Sequence, residues 1–145
     1  MESRFKLNEA EPQAYKAMMA FENYFAGSEI TKTHKELIKI RASQINGCAF
    51  CLDMHTKDAR KNGETEQRIY VLNAWRDTTL FTEEERAILA LTEAVTNISQ
   101  NHVSDAVYNN AVNLLGEKYT AQVLMGIIAI NGWNRIAITT GLMPQ

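Results

Sequence analysis

The sequence predicts an all-α protein, and three observations carry that prediction. Helix breakers are scarce, with seven glycines and two prolines in 145 residues, which suits helices joined by short loops. Start and stop signals for helices recur in matched pairs along the chain. Apolar residues return at helical spacing, and no segment sustains the alternation of a half-buried strand.

The elements follow in order. Residues 1–11 are polar and expected to be irregular. Pro12 suits a first helical position and Gly27 a stop just past the end, so a helix is predicted over 12–26, with Tyr15, Met18, Met19, Glu22 and Phe25 at helical spacing. The next starts near Thr33, where Thr33-His34-Lys35-Glu36 has the form of a capping box. Leu37, Ile40, Ala42 and Ile45 form its apolar face, and Asn46-Gly47 ends it. A third helix opens at Cys48 and stops at Asn62-Gly63. A fourth covers 65–75, with Ile69, Leu72 and Trp75 as its stripe. Thr82-Glu83-Glu84-Glu85 is a second capping box, leading into Ile88, Leu89, Leu91, Ala94 and Val95. Ser104 caps a helix over 105–115 that Gly116 closes, and Thr120 caps the last, over 121–138. Between Ala121 and Ile130 only Gln122 is polar. Such a helix is a central core element, or turns part of its surface to another subunit, and the two readings are compatible.

Composition narrows the function. Apolar residues make up 46% and charged residues 22% of the chain, with a net charge of -2. The length fits one domain over 1–145. A nucleic-acid binder normally carries a basic surplus, which is lacking. The longest apolar run, Val123 to Ile130, is far short of the roughly 20 residues that span a bilayer. The first residues have no apolar stretch of the kind that marks a secretory signal, so a cytoplasmic protein without membrane contact is expected. In a reducing compartment, two cysteines spaced three apart point to catalysis or metal binding rather than to a structural staple.

Those cysteines are Cys48 and Cys51, in Cys-Ala-Phe-Cys followed by His55. At about 100° per residue, with Cys48 at 0°, Cys51 falls at about 300° and His55 at about 340°, one narrow helical face. His55 lies one turn beyond Cys51, where side chains meet. Cys48 sits at the helix start, where free N–H groups and the dipole stabilise a thiolate. If Asn46-Gly47 folds the flanking helices into an antiparallel hairpin, Glu36 and His55 both lie roughly 12–16 Å from the turn, level with each other. A carboxylate there orients the imidazole and raises its basicity, the orienter–base–nucleophile logic of an activated thiol. As the last residue of a capping box, Glu36 also has a purely structural reading, and His55 has one as a helix-surface residue. A zinc site of Cys48, Cys51 and His55 lacks a second ligand pair and would need Glu36 as its fourth member. No metal or cofactor is expected. His34 and His102 have no partner by spacing and read as surface residues. Asp58 reads as a solvated charge and Arg135 as a surface arginine. Phe50, Met54 and Trp75 are candidates to wall a pocket.

The pattern Glu-x11-Cys-x2-Cys-x3-His, formed by Glu36, Cys48, Cys51 and His55, resembles the AhpD-like alkyl hydroperoxidase branch of the carboxymuconolactone decarboxylase superfamily. Lys35 to Arg41, Asn46-Gly47-Cys48, His55 to Ala59, and Thr82 to Ala87 are similar to that family as well. The core of the resemblance covers 30–100. It implies an AhpD-like helical bundle with the redox pair at a helix start in an antiparallel hairpin, and a thiol-dependent peroxidase or oxidoreductase. It also implies roles: Cys51 attacks a hydroperoxide, Cys48 resolves the sulfenic acid to a disulfide, His55 is the base or proton relay, and Glu36 orients it. Helix-dipole reasoning alone favours Cys48 as the nucleophile. The implied partners are a hydroperoxide or disulfide substrate, a dithiol or protein reductant, and further copies of the chain in a dimer, trimer or hexamer. The best-studied type of the family carries a histidine immediately before the second cysteine. Here that position is Phe50, so a relay through that imidazole does not operate. The decarboxylase branch lacks the cysteine pair, which argues against lactone decarboxylation; the alternative readings are an oligomeric redox-sensing binding module, or decarboxylase- or isomerase-like acid–base chemistry by Glu36 and His55.

Overall fold

The computed structural model describes residues 2–145, and no strand occurs among them. The helices are α1 (Leu7–Ala10), α2 (Pro12–Ala26), α3 (Lys32–Asn46), α4 (Ala49–Lys61), α5 (Glu66–Tyr70), a 3-10 helix (Leu72–Asp77), α6 (Glu83–Thr96), α7 (Ile98–Asn101), α8 (Asp105–Leu115) and α9 (Glu117–Thr140). None is long and apolar enough to cross a membrane. The all-α expectation holds, and each misplaced boundary has a local cause.

Thr31, not Thr33, caps α3. Its hydroxyl accepts the His34 N–H at 3.1 Å, and buried Ile30 anchors the residue before it. The consequence is functional, because Glu36 is then free of capping duty and lies a full turn inside the helix. Thr31→Ala is expected to cost about 1 kcal/mol, and Thr33→Ala a few tenths at most; urea unfolding of the two variants distinguishes the caps. The expected box at Thr82 does form. Thr82 Oγ1 accepts the Glu85 N–H, and Glu85 Oε2 accepts the Thr82 N–H at 2.9 Å. Ser104 caps α8 through the Val107 N–H, as expected.

The predicted helix over 65–75 divides at Val71 into α5 and the 3-10 helix, which itself kinks at Ala74 (φ -116°, ψ 26°). Leu72 and Trp75, on either side of that kink, pack into the same core. The last helix begins at Glu117 rather than after Thr120. Gly116, at φ 80°, ends α8 and turns the chain directly into α9. Thr120 is therefore interior to the helix, buried, with its hydroxyl unpaired among the described residues. The segment expected to be irregular contains the single turn α1, and Arg4 ties it to the end of α9 by bonding the Thr139 and Thr140 carbonyls at 2.9 Å.

The central element is α3, because its two sides feed two apolar clusters. Ile38 and Ala42 join Phe25, Ile88, Ile127 and Ile130 on one side. Leu37 and Ile40 join Ala59, Leu72, Trp75 and Leu89 on the other. Core and surface of α9 only partly match its sequence. Gln122, its one polar residue over 121–130, is buried, whereas Leu124, Ile128 and Ile138 are 38%, 44% and 46% exposed. His34 is not a free surface residue. Its Nδ1 lies 2.6 Å from the Tyr119 hydroxyl, clamping the start of α3 to the start of α9, and burial lowers its pKa.

Candidate active site

Gly47, left-handed at φ 69°, ends α3, and the Cys48 N–H bonds back to the Ser43 carbonyl at 3.0 Å. A side chain is strained in that conformation, which explains glycine at the corner of the hairpin. Asn46, beside it, donates to Asn131 and Asn134 of α9, each at 2.9 Å, and Asn134 donates to Ser43 at 3.0 Å. This partly buried polar lock holds the corner, and with it the start of α4, against α9.

The lock delivers Cys48 as the N-cap of α4, its sulfur 3.3 Å from the Cys51 N–H. Cys48 and Cys51 are joined in a disulfide, with Cα atoms 5.3 Å apart. Both are about 1% exposed and cluster with Ala137 of α9 and Phe50. His55 follows one turn later, 8% exposed. Its Nδ1 lies 3.5 Å from Glu36 Oε2. The two atoms are close but outside hydrogen-bond geometry, and neither has a hydrogen-bond partner among the described residues. All four residues singled out in the sequence thus fall in one region.

Asp58 belongs there too and is not simply a solvated charge. One ligand atom from each of Glu36, His55 and Asp58 lies within 4.8 Å of the others. The signal in the sequence was the i, i+3 step from His55 to Asp58, which shares a helical face.

A cavity of about 550 Å³ opens beside α4, and Cys51, His55 and Asp58 are on its wall; Cys48 is not. Phe50 and Met54 line it as expected. Trp75 does not. It is buried under Arg76 and Arg86, and its indole N–H donates to Glu93 at 2.7 Å. The facing wall comes from distant segments: Leu7 of α1, Tyr15 and Met19 of α2, and Trp133 and Ile136 of α9. Three polar groups along the cavity satisfy one another. Lys39 and Glu22 pair at 2.9 Å, and the Trp133 indole donates to Glu22 at 3.2 Å. The cavity therefore offers an apolar body with a redox-active sulfur, that of Cys51, on its wall. Nothing local marked these facing residues in the sequence.

A carboxylate, a cysteine pair and an imidazole in that order along a hairpin are what the resemblance required. The sequence pattern of the carboxymuconolactone decarboxylase family matches residues 12–94. This chain belongs to that family. The uncharacterized protein YdfG of Bacillus subtilis strain 168 is 47% identical to this family member over 141 residues, 97% of this chain and 96% of YdfG. An Agrobacterium tumefaciens protein of unknown function, suggested to be an AhpD antioxidant defence protein, superposes with a TM-score of 0.96 at 39% identity over 99% of both chains. A peroxidase-related protein with an AhpD core from Ralstonia eutropha JMP134 superposes at 0.79 and 21% identity, over 95% of this chain and 74% of that one, a likeness of fold alone. The fold of this family member is AhpD-like, with its Cys-x-x-Cys pair at the start of α4.

Proposed function

We propose that this protein reduces organic hydroperoxides, or disulfides, through a Cys48–Cys51 dithiol cycle. The observation that carries the reading is that Cys51, and not Cys48, lines the apolar cavity alongside His55. The thiolate of Cys51 attacks the terminal oxygen of R–O–O–H. The O–O bond breaks, the alkoxide leaves and takes up a proton, and Cys51 becomes a sulfenic acid. The Cys48 thiol then displaces that oxygen as water and forms the disulfide. An external dithiol, small or protein-borne, restores both thiols by exchange.

His55 takes the Cys51 proton and passes it toward the leaving oxygen, and Glu36 orients His55. Support for these roles is the 3.5 Å approach of the buried Glu36 and His55 side chains. With Phe50 between the cysteines, the only imidazole on this face of α4 is His55. The test is to expose the reduced protein to cumene hydroperoxide and count free thiols. Loss of both thiols, with repeated turnover when a dithiol is supplied, supports an enzyme. A single oxidation without turnover overturns it in favour of a redox sensor.

We further propose that the protein works in the cytoplasm as a homo-oligomer, in which a second copy covers the exposed Leu124, Ile128 and Ile138 of α9. An apolar stripe on a long helix is a habitual self-association surface. Ile128→Glu is expected to lower the mass measured by light scattering to that of the monomer, and an unchanged mass overturns the assignment.

A further inference from the structure

We infer that Glu36, His55 and Asp58 form a binding site for a zinc-class divalent cation, with no sulfur ligand. Glu36 Oε2 and His55 Nδ1 are buried, lack any hydrogen-bond partner among the described residues, and lie 3.5 Å apart. A buried carboxylate oxygen and imidazole nitrogen without partners are costly. The separation is too long for a hydrogen bond, yet it matches the edge of a tetrahedral site. Two ligands each about 2.1 Å from one ion, the usual Zn–N and Zn–O length, sit about 3.4 Å apart. Asp58 supplies a third ligand within 4.8 Å of the other two. It is a half-buried side chain on the cavity wall. The fourth position faces the cavity and is left to water.

The donor set is one imidazole and two carboxylates, which suits zinc and related divalent ions. Because Cys48 and Cys51 are joined to each other, the site needs neither thiol and differs from a cysteine-based zinc site. Zinc bound there occupies the His55 and Glu36 atoms that the proposed thiol cycle uses, so it would silence that cycle. The binding itself does not depend on the thiol reading.

Titration of the oxidised protein with zinc sulfate, followed by calorimetry in chelator-free buffer, tests the site. One zinc per chain is expected. Asp58→Asn and Glu36→Gln should each weaken binding at least ~10-fold, no less than the loss of an outer-shell partner costs. His102→Ala, at a remote exposed imidazole, should leave binding unchanged. The Cys48→Ser/Cys51→Ser double variant should bind like the oxidised wild type, and zinc X-ray absorption should show only nitrogen and oxygen neighbours. Circular dichroism verifies that the variants fold, and Asp58→Asn, at a half-buried position, suffices if Glu36→Gln does not. Absence of stoichiometric zinc, binding indifferent to Asp58→Asn, or sulfur in the coordination shell overturns the site. Failure of peroxide turnover with zinc binding intact would sink the proposed thiol cycle alone.

Discussion

Cys51→Ser is expected to abolish hydroperoxide-driven disulfide formation, slowing thiol loss at least ~10³-fold as removal of a nucleophile does, whereas Cys48→Ser is expected to stop one step later. The asymmetry follows from placement. Both sulfurs are nearly excluded from solvent, but only Cys51 is on the wall of the cavity. Cys48 faces inward as the cap of α4. Serine is itself a good N-cap, so Cys48→Ser keeps the start of the helix. In that variant Cys51 still takes the peroxide oxygen, and its sulfenic acid persists because the resolving thiol is gone. Trapping with dimedone should label Cys48→Ser once per chain and leave Cys51→Ser unlabelled. Labelling of Cys51→Ser at the wild-type rate would move the attack to the helix-terminal cysteine, as the dipole argument by itself suggests.

The largest stability effect is expected at Phe25. Its ring is fully buried in the larger apolar cluster and lies against Gly126 of α9, where an added Cβ would clash with the ring edge at Cε2 and Cζ. The ammonium groups of Lys35 and Lys39 sit over the ring at 5.8 and 5.6 Å. Phe25→Ala should therefore cost about 3–5 kcal/mol. Gly126→Ala should cost about 1–3 kcal/mol, because the buried ring has to shift. Combined with Phe25→Ala, Gly126→Ala should change sign and stabilise by up to about 1 kcal/mol, since the clash is gone and alanine is the better helix former. Urea unfolding at one fixed protein concentration measures all three, with concentration held constant because association adds to apparent stability. Additive effects in the double variant would show that Phe25 and Gly126 do not compete for the same space.

Much of the fold was legible locally. Pro12, Gly27, Gly47, Thr82, Ser104 and Gly116 each act through their own backbone or a residue three positions away, so their signals lie within a short window of sequence. Where two caps competed, as at Thr31 and Thr33, the window held both and the burial of Ile30 accompanied the choice. The helix expected over 65–75 is interrupted at Val71 and Ala74, while Leu72 and Trp75 still pack in one core. Trp75 was also misplaced. An aromatic at helical spacing shows that it is buried, but not against what.

By itself the sequence determined the all-α class, most helix ends, and the common face of Cys48, Cys51 and His55, because helical periodicity converts spacing directly into direction. It also carried the family pattern, which reaches across the hairpin to Glu36. Only the tertiary structure decided that Glu36 is free of its capping box, that Asp58 joins it at His55, and that Cys51 rather than Cys48 meets the cavity. The cavity is closed by α1, α2 and α9, whose residues lie more than twenty positions from α4 in sequence. Contacts between such segments arise from packing of whole helices, and no local spacing encodes them.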